Sequence, residues 1–459
     1  MKRATFLWLL LFVCGLLFLA IRGLPFFSED YSQLLEASRL SSVWQAIGPT
    51  LEPLRPLQHL PFYLLSRCAE PDPAATRLVM VLLHAGSVLL VVRLARVLGA
   101  TERESWLAGA LFLVFPCLKA LVWNAASSNP ERVFFMLGAL VAFAERRTIL
   151  LGLCLFLALA SHEAAISLPP MMLLLAWQRG EKQRLREPAF LVCTAATIAY
   201  TIYLAFLRPQ RHDSLKPLDS LPSNALKALL ALAPEPLRVA CIDSLRGHGN
   251  GVLLLGSLVF LLAWLALIGW ALVRGGPALR FIVLAIAVDF VLPFLSAGFT
   301  QRYAYFAGGL IAIALVLASR SWTRRTRILV LALVAASWSY DSLRDGIEYH
   351  AAGKLERSIL EQLRAERART GPSRTIVVLD LPDMGGAEHD LPLFNWGAEE
   401  CLRRNGVAGP WVFWRTHAYA TSSDIPPLPA GQLENLRAGG VRVLRYDAEA
   451  DPPLRVELE

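Results

Sequence analysis

The sequence predicts an all-α polytopic membrane domain of about eleven transmembrane helices, followed by a small α/β C-terminal extracytoplasmic domain. Three observations carry that reading. The 459-residue chain is 55% hydrophobic and only 18% charged, with positive mean hydropathy, which is more apolar surface than one soluble core can hide. Apolar runs of near-spanning length recur at 4–21, 76–98, 105–122, 131–145, 148–160, 163–178, 188–207, 251–273, 280–296, 304–319 and 326–340. Cations gather in every second loop between those runs.

The first run, Ala4 to Ile21, follows Lys2 and Arg3 and has the form of a signal or an anchor. It ends in Arg22-Gly23-Leu24-Pro25 without a small-x-small cleavage site, and Phe12-Val13 is too bulky for lipoprotein processing at Cys14, so it reads as an uncleaved anchor. The later runs need roughly 17 to 25 apolar residues each, and the two between 148 and 178 are short, so the count holds to about one span.

Orientation follows from the loops that hold Lys and Arg, because short cationic loops stay cytoplasmic. Arg93, Arg96 and Arg103 share one loop, followed by Arg146-Arg147, by Arg179, Lys182, Arg184 and Arg186, by Arg274 and Arg280, and by Arg320, Arg324, Arg325 and Arg327. The intervening segments 22–75, 119–131, 161–163, 208–250 and 297–303 are then extracytoplasmic, as is the tail after the last span. The net charge of +8 is a topology signal and not a nucleic-acid footprint. Seven cysteines at irregular spacing form no metal-ligand pattern, and Cys68, Cys241 and Cys401 fall on the expected oxidising side, where a disulfide between two of them is one option.

The composition shift near 341 divides a transmembrane domain, 1–340, from a soluble domain, 341–459. In the latter, Asp341 to Arg369 reads as a charged helix and Arg374 to Leu381 as a buried strand ended by Pro382 and Gly385-Gly386. A helix near 394–405 and strands near 410–415 and 441–446 complete it. In the first outer loop, 22–75, the apolar spacing from Tyr31 to Ile47 predicts a helix on the membrane surface or a connector packed on the spans.

The candidate chemistry lies on the extracytoplasmic side. Glu29-Asp30 is a pair of acids just beyond the first span, where a carboxylate is costly unless solvated or partnered. Arg55-Pro56-Leu57 follows in the same loop, Trp123 to Glu131 fills the next, His162-Glu163 lies between two spans, and Arg302-Tyr303-Ala304-Tyr305 opens a late one. Trp123, Tyr303 and Tyr305 suit either an interfacial aromatic belt or stacking on a sugar, with the belt ranked first. Asp289, deep in a span before Pro293, reads as a structural residue.

This ordered set resembles the GT-C glycosyltransferases, including protein O-mannosyltransferases and bacterial enzymes that use polyprenyl-phosphate sugars. That family places an acidic pair in its first outer loop, then an Arg-Pro-Leu element, a Trp-rich loop, a Lys-Glu ahead of a Pro-containing span, and a late Arg-Tyr-x-Tyr. The order is kept over roughly 5–340, with His162 standing where relatives have Lys. The resemblance implies a polyprenyl-phosphate sugar donor and an acceptor that is glycan, lipid or protein. Asp30 is the first candidate for the base that takes the acceptor's proton, with Glu29 as its neighbour or substitute. Arg55, His162, Glu163, Arg302, Tyr303 and Trp123 are candidates for binding the donor's phosphate and sugar. No cofactor is implied and no metal cluster is visible to require a cation. A transporter of lipid-linked sugars and a non-catalytic membrane scaffold are the rival readings, although the internal repeats common in transporters are absent.

Overall fold

The apolar runs fold as helices among the described residues, and one of them, at 105–122, is broken at a proline. In the computed structural model the described residues are 3–27, 29–48, 55–68, 71–116, 118–207, 262, 266, 268–295, 301–381, 384–385, 391–392, 394, 398–407, 409–414, 427–429, 431–438, 441–447 and 453–458. Helix α1 (Arg3–Ile21) is followed by three short helices of the first loop, α2 (Glu29–Ser38), α3 (Val43–Ile47) and α4 (Pro56–Ser66). The surface helix expected from Tyr31 to Ile47 is therefore two helices, separated by Arg39 to Ser42.

Next come α5 (Pro73–Val97), α6 (Glu102–Leu113) and α7 (Leu118–Val122). The run at 105–122 is split between the last two by Pro116, which lacks an amide hydrogen and drives the preceding residue out of helical backbone. Helices α8 (Ser128–Ala144), α9 (Thr148–Ser161), α10 (Leu168–Gln178) and α11 (Pro188–Ile202) complete this half, with a 3-10 turn at Glu163–Ser167 between α9 and α10. Most of the span expected at 251–273 lies outside the described residues, as does the whole outer loop 208–250 with Cys241. Helices α12 (Pro277–Leu295) and α13 (Tyr305–Ala318) follow.

Two helices among the described residues, α1 and α5, are long and apolar enough to cross a membrane, while other apolar helices such as Thr148–Ser161 and Pro188–Ile202 are shorter. Their outer faces are nonetheless apolar: Trp8 is 73% exposed, Ile149 90% and Val273 74%. Such stripes belong against lipid tails and not water. The inward faces pack together, α5 against α1, α6 and α8, and α13 against α6 and α12.

The last span and the expected charged helix are one uninterrupted helix, α14 (Arg324–Thr370), capped by the Thr323 side chain and ended at Gly371, whose φ of 87° favours a residue without Cβ. Exposed Ile328, Leu329, Leu333, Tyr340, Leu343 and Ile347 share its outer surface, and the rise from the first to the last is about 29 Å, a hydrocarbon thickness. The composition shift near 341 thus falls inside a helix whose lipid-facing stripe continues to Ile347.

The C-terminal module has strands β1 (Ile376–Leu379), β2 (Met384–Gly385), β3 (Leu391–Pro392), β4 (Trp411–Trp414), β5 (Arg442–Tyr446) and β6 (Leu454–Leu458), with α15 (Ala398–Arg404) and α16 (Gln432–Ala438). The main sheet has the order β4-β1-β5-β6. Strand β1 is central, parallel to both neighbours, and its four apolar residues are all buried, as a parallel strand covered on both faces requires. Strand β6 pairs antiparallel with β5 and was not expected from the sequence.

Candidate functional site

Four loop segments distant in sequence meet at one end of the helical domain. Their framework is Arg77, near the start of α5 and fully buried, whose guanidinium donates to the carbonyls of Ile21 (3.1 Å) and Val122 (3.0 Å) and also to those of Leu24 and Pro25. One arginine thereby satisfies the orphan carbonyls at the ends of α1 and α7 and fixes how the chain enters α2. An arginine inside an apolar run was the sequence signal that could have marked it.

Asp30, in the first turn of α2, is completely buried. Its Oδ1 accepts the amide of Ala125 (2.6 Å), and its Oδ2 accepts the amide of Phe27 (3.1 Å) and the side-chain amide of Asn124 (3.3 Å). Burial pushes its carboxyl up to about 7, against the pull of the Phe27 and Ala125 amides and the charge of Arg77, while Glu29 adds to the rise. Glu29 itself is half-buried.

Ala125 carries the connection onward. Its carbonyl accepts from Gln58 Nε2 (2.7 Å), and Gln58 Oε1 lies 3.4 Å from Arg55 Nη1. Arg55, at the start of α4, makes a two-pronged ion pair with Glu163, Nε to Oε2 at 2.9 Å and Nη2 to Oε1 at 2.6 Å. Burial opposes the charge of Glu163, but Arg55 outweighs it and holds this carboxyl well below the usual range. His162 Nδ1 accepts the Ala164 amide at 3.0 Å, which places an imidazole proton, when the ring is neutral, on Nε2. The ring of Tyr303 stands edge-on to His162, with centroids 6.0 Å apart.

Of the residues singled out in the sequence, Asp30, Arg55, His162, Glu163 and Tyr303 are therefore linked through contacts, and Trp123 is partly buried immediately before the 3-10 turn Asn124–Ala126 that supplies Ala125. The backbone of Arg302 lies in the turn Gln301–Ala304, and its side chain is outside the described residues. Although His162 carries no permanent charge, Glu163 has a permanent cation beside it, because Arg55 reaches it from another loop. Tyr305 is not at the site: it is buried in the core with its hydroxyl 2.5 Å from His84 Nδ1. Asp289 pairs with Arg132 at 3.0 Å, both fully buried, in agreement with a structural role. Cys68 is exposed and Cys401 buried, and both are free thiols, so no disulfide joins them.

The 3-10 turn after Trp123 and the start of α8 hold a concentration of polar atoms. Glu131 Oε2 and the side-chain oxygens of Asn124, Ser127, Ser128 and Asn129 are buried without hydrogen-bond partners among the described residues. Buried polar groups ordinarily find partners, so such a cluster is a bed for water or a polar ligand. Among the described residues no three His, Cys, Asp or Glu side chains group as a metal site. Beyond Glu163, Ile166, Pro169 and Pro170 face Thr194, Thr197 and Ile198 across an apolar groove of about 340 Å³ between α10 and α11.

No protein-family model and no curated protein matches the chain. Among solved structures, ArnT from Cupriavidus metallidurans bound to undecaprenyl phosphate is similar, with a TM-score of 0.52 and 13% identity over 97% of this chain and 94% of that one. At that identity the likeness is one of fold: the chain shares the fold of ArnT.

Proposed function

We propose that this chain transfers a sugar from a polyprenyl-phosphate carrier to an acceptor outside the cytoplasmic membrane, with the N-terminus cytoplasmic and about eleven spans. The observation that carries the reading is the meeting of Asp30, Arg55, His162, Glu163 and Tyr303, drawn from loops the charge pattern assigns to one side of the membrane. The fold shared with a protein bound to undecaprenyl phosphate supports the carrier. The apolar groove that begins one turn beyond Glu163 suits the first isoprene units, and the polar bed of Asn124 to Glu131 suits a hydroxyl-rich sugar.

Asp30 accepts the proton of the acceptor hydroxyl as that oxygen attacks the anomeric carbon. The bond from that carbon to the carrier's phosphate breaks, and polyprenyl phosphate leaves. One displacement inverts the anomeric centre. A carboxylate offers about four acceptor sites and three donors occupy those of Asp30, which leaves one on Oδ1 for the incoming proton. Arg55 has about five donors, of which three are engaged, so two remain for the phosphate. Arg302 would add a second cation.

The test is release of sugar from a radiolabelled polyprenyl-phosphate donor by protein in lipid, with Asp30→Asn and Glu29→Gln compared. General-base catalysis contributes about 10² to 10⁴ in rate, and a loss of that size confined to Asp30→Asn assigns the base. A loss confined to Glu29→Gln assigns it to the less buried neighbour. Donor that binds and is never cleaved, across sugars and acceptors, overturns the transferase reading in favour of lipid-sugar transport.

A further inference from the structure

The first outer loop is held from its far side by residues more than 300 positions later. Tyr31, next to Asp30, donates its hydroxyl to Glu356 Oε1 at 2.8 Å, and the Cys401 thiol of α15 lies 3.7 Å from the same oxygen. All three side chains are buried. Tyr349, Gly353 and Glu356 recur on α14 at the spacing of a single helical face, and each meets the loop. The Tyr349 ring stands edge-on to Phe27 at 5.4 Å, and a Cβ on Gly353 would come within 2.9 Å of Pro25 Cδ. One residue along, His350 Nε2 reaches the carbonyl of Ala20 at 2.8 Å.

A contact needed only for stability is built most cheaply from apolar groups, because burying a carboxyl costs more than burying an isosteric hydrocarbon. Here Glu356 is buried with one oxygen, Oε2, lacking a partner among the described residues. Burial pushes its carboxyl up to about 8, against the hydrogen bonds from Tyr31 and Cys401, with Asp30 adding to the rise and Arg357 opposing it. What a hydrogen bond supplies that apolar packing does not is direction. An acid whose amide donors are backbone groups of two different loops is displaced by any rotation of α2.

We propose that Tyr31 and Glu356 are positioning residues: the extramembrane part of α14, with α15, sets the rotation of α2 and so places Asp30 under the Ala125 amide. This rests on the transferase reading, in which Asp30 is the base. It gives the C-terminal module a part in the reaction as a clamp on the first loop.

The experiment has two arms. In the first, kcat and the donor KM are measured for Tyr31→Phe, Glu356→Leu and Glu356→Gln. A misplacement of about 1 Å costs on the order of a hundredfold in rate, so Tyr31→Phe and Glu356→Leu are expected to lower kcat by about ten- to a hundredfold with KM little changed. Glu356→Gln, which still accepts from Tyr31, restores most of kcat. In the second, spin labels at Arg39→Cys, immediately after α2, and Glu361→Cys on α14, in a background with Cys68→Ser and Cys241→Ser, report the distance between the two helices without reference to activity. A narrow distribution in the parent and in Glu356→Gln, broadened in Glu356→Leu, supports the clamp. A distribution unchanged by Glu356→Leu overturns it, as does broadening with kcat intact. A parent protein that cleaves no donor removes the transferase reading, while the distance arm still decides whether α14 sets α2.

Discussion

Asp30 joins two properties with opposite effects on a carboxylate, complete burial and hydrogen bonds from two backbone amides. Burial dominates and holds its carboxyl near 7, so the ionised fraction, which the base requires, grows as pH rises. The expected profile of kcat/KM therefore climbs about tenfold per unit below that value and levels off above it, measured between about pH 5 and 9. A break near an ordinary carboxylate value of about 4 would count against Asp30 as the base. The same shift favours the folded chain in acid: its contribution is fully present below the unfolded value of about 3.9 and is lost as pH rises through about 7. At Arg55, replacement by lysine keeps the charge and removes the planar fork that grips both oxygens of Glu163. Losing one charge-assisted hydrogen bond, about 1.5 to 3 kcal/mol, predicts a ten- to hundredfold fall in kcat/KM for Arg55→Lys, read in the same labelled-donor assay.

At the scale of elements, the clearest constraint is the ion pair of Arg132 on α8 with Asp289 on α12, which joins two helices inside the apolar domain. Removing one partner strands the other without water. Asp289→Ala is expected to destabilise by about 3 to 5 kcal/mol, while the double variant Asp289→Leu with Arg132→Leu recovers much of that, as thermal unfolding in detergent would measure. Equal losses in the single and double variants would show that packing volume, not the stranded charge, sets the cost. The proline rule acts at the same scale. Pro116 divides one apolar run into α6 and α7, and the C-terminal end of α7 brings the Val122 carbonyl to Arg77.

At the scale of the molecule, the charge pattern assigns the loops that hold the candidate site to the side opposite the cationic loops, and Cys68 is the one exposed thiol among the described free cysteines. In a Cys241→Ser background a membrane-impermeant maleimide is expected to label Cys68 in intact spheroplasts and, once Cys68→Ser is added, to label Arg325→Cys only after permeabilisation. The reverse pattern would invert the topology and remove the extracytoplasmic acceptor from the proposal.

How much of this was legible in the sequence depends on the range of the interactions concerned. The helical runs, the alternation of cationic loops and the placement of Glu29-Asp30, Arg55, Trp123, His162-Glu163 and Arg302-Tyr303 between or at the ends of apolar runs follow from local hydropathy and charge. So do strands β1, β4 and β5, whose apolar runs differ from their surroundings. Strand β6, with Arg455 and Glu457 interrupting its apolar residues, gave no such signal. The continuity of α14 was also hidden, because helical backbone passes without a break from a lipid-facing stripe to a charged one while composition changes between them.

The sequence by itself determined that this is a helical membrane protein, since transfer of apolar residues to lipid is decided segment by segment, and its charge pattern predicts one side of the membrane for the chemistry-bearing side chains. Only the tertiary structure decided which of those side chains meet. Arg55 and Glu163 are 108 residues apart and Tyr31 and Glu356 are 325 apart, and neither pairing leaves a trace in spacing or periodicity. Burial, which turns Asp30 from an ordinary carboxylate into one poised near neutrality, is likewise a property of the packed loops around it and not of its neighbours in the chain.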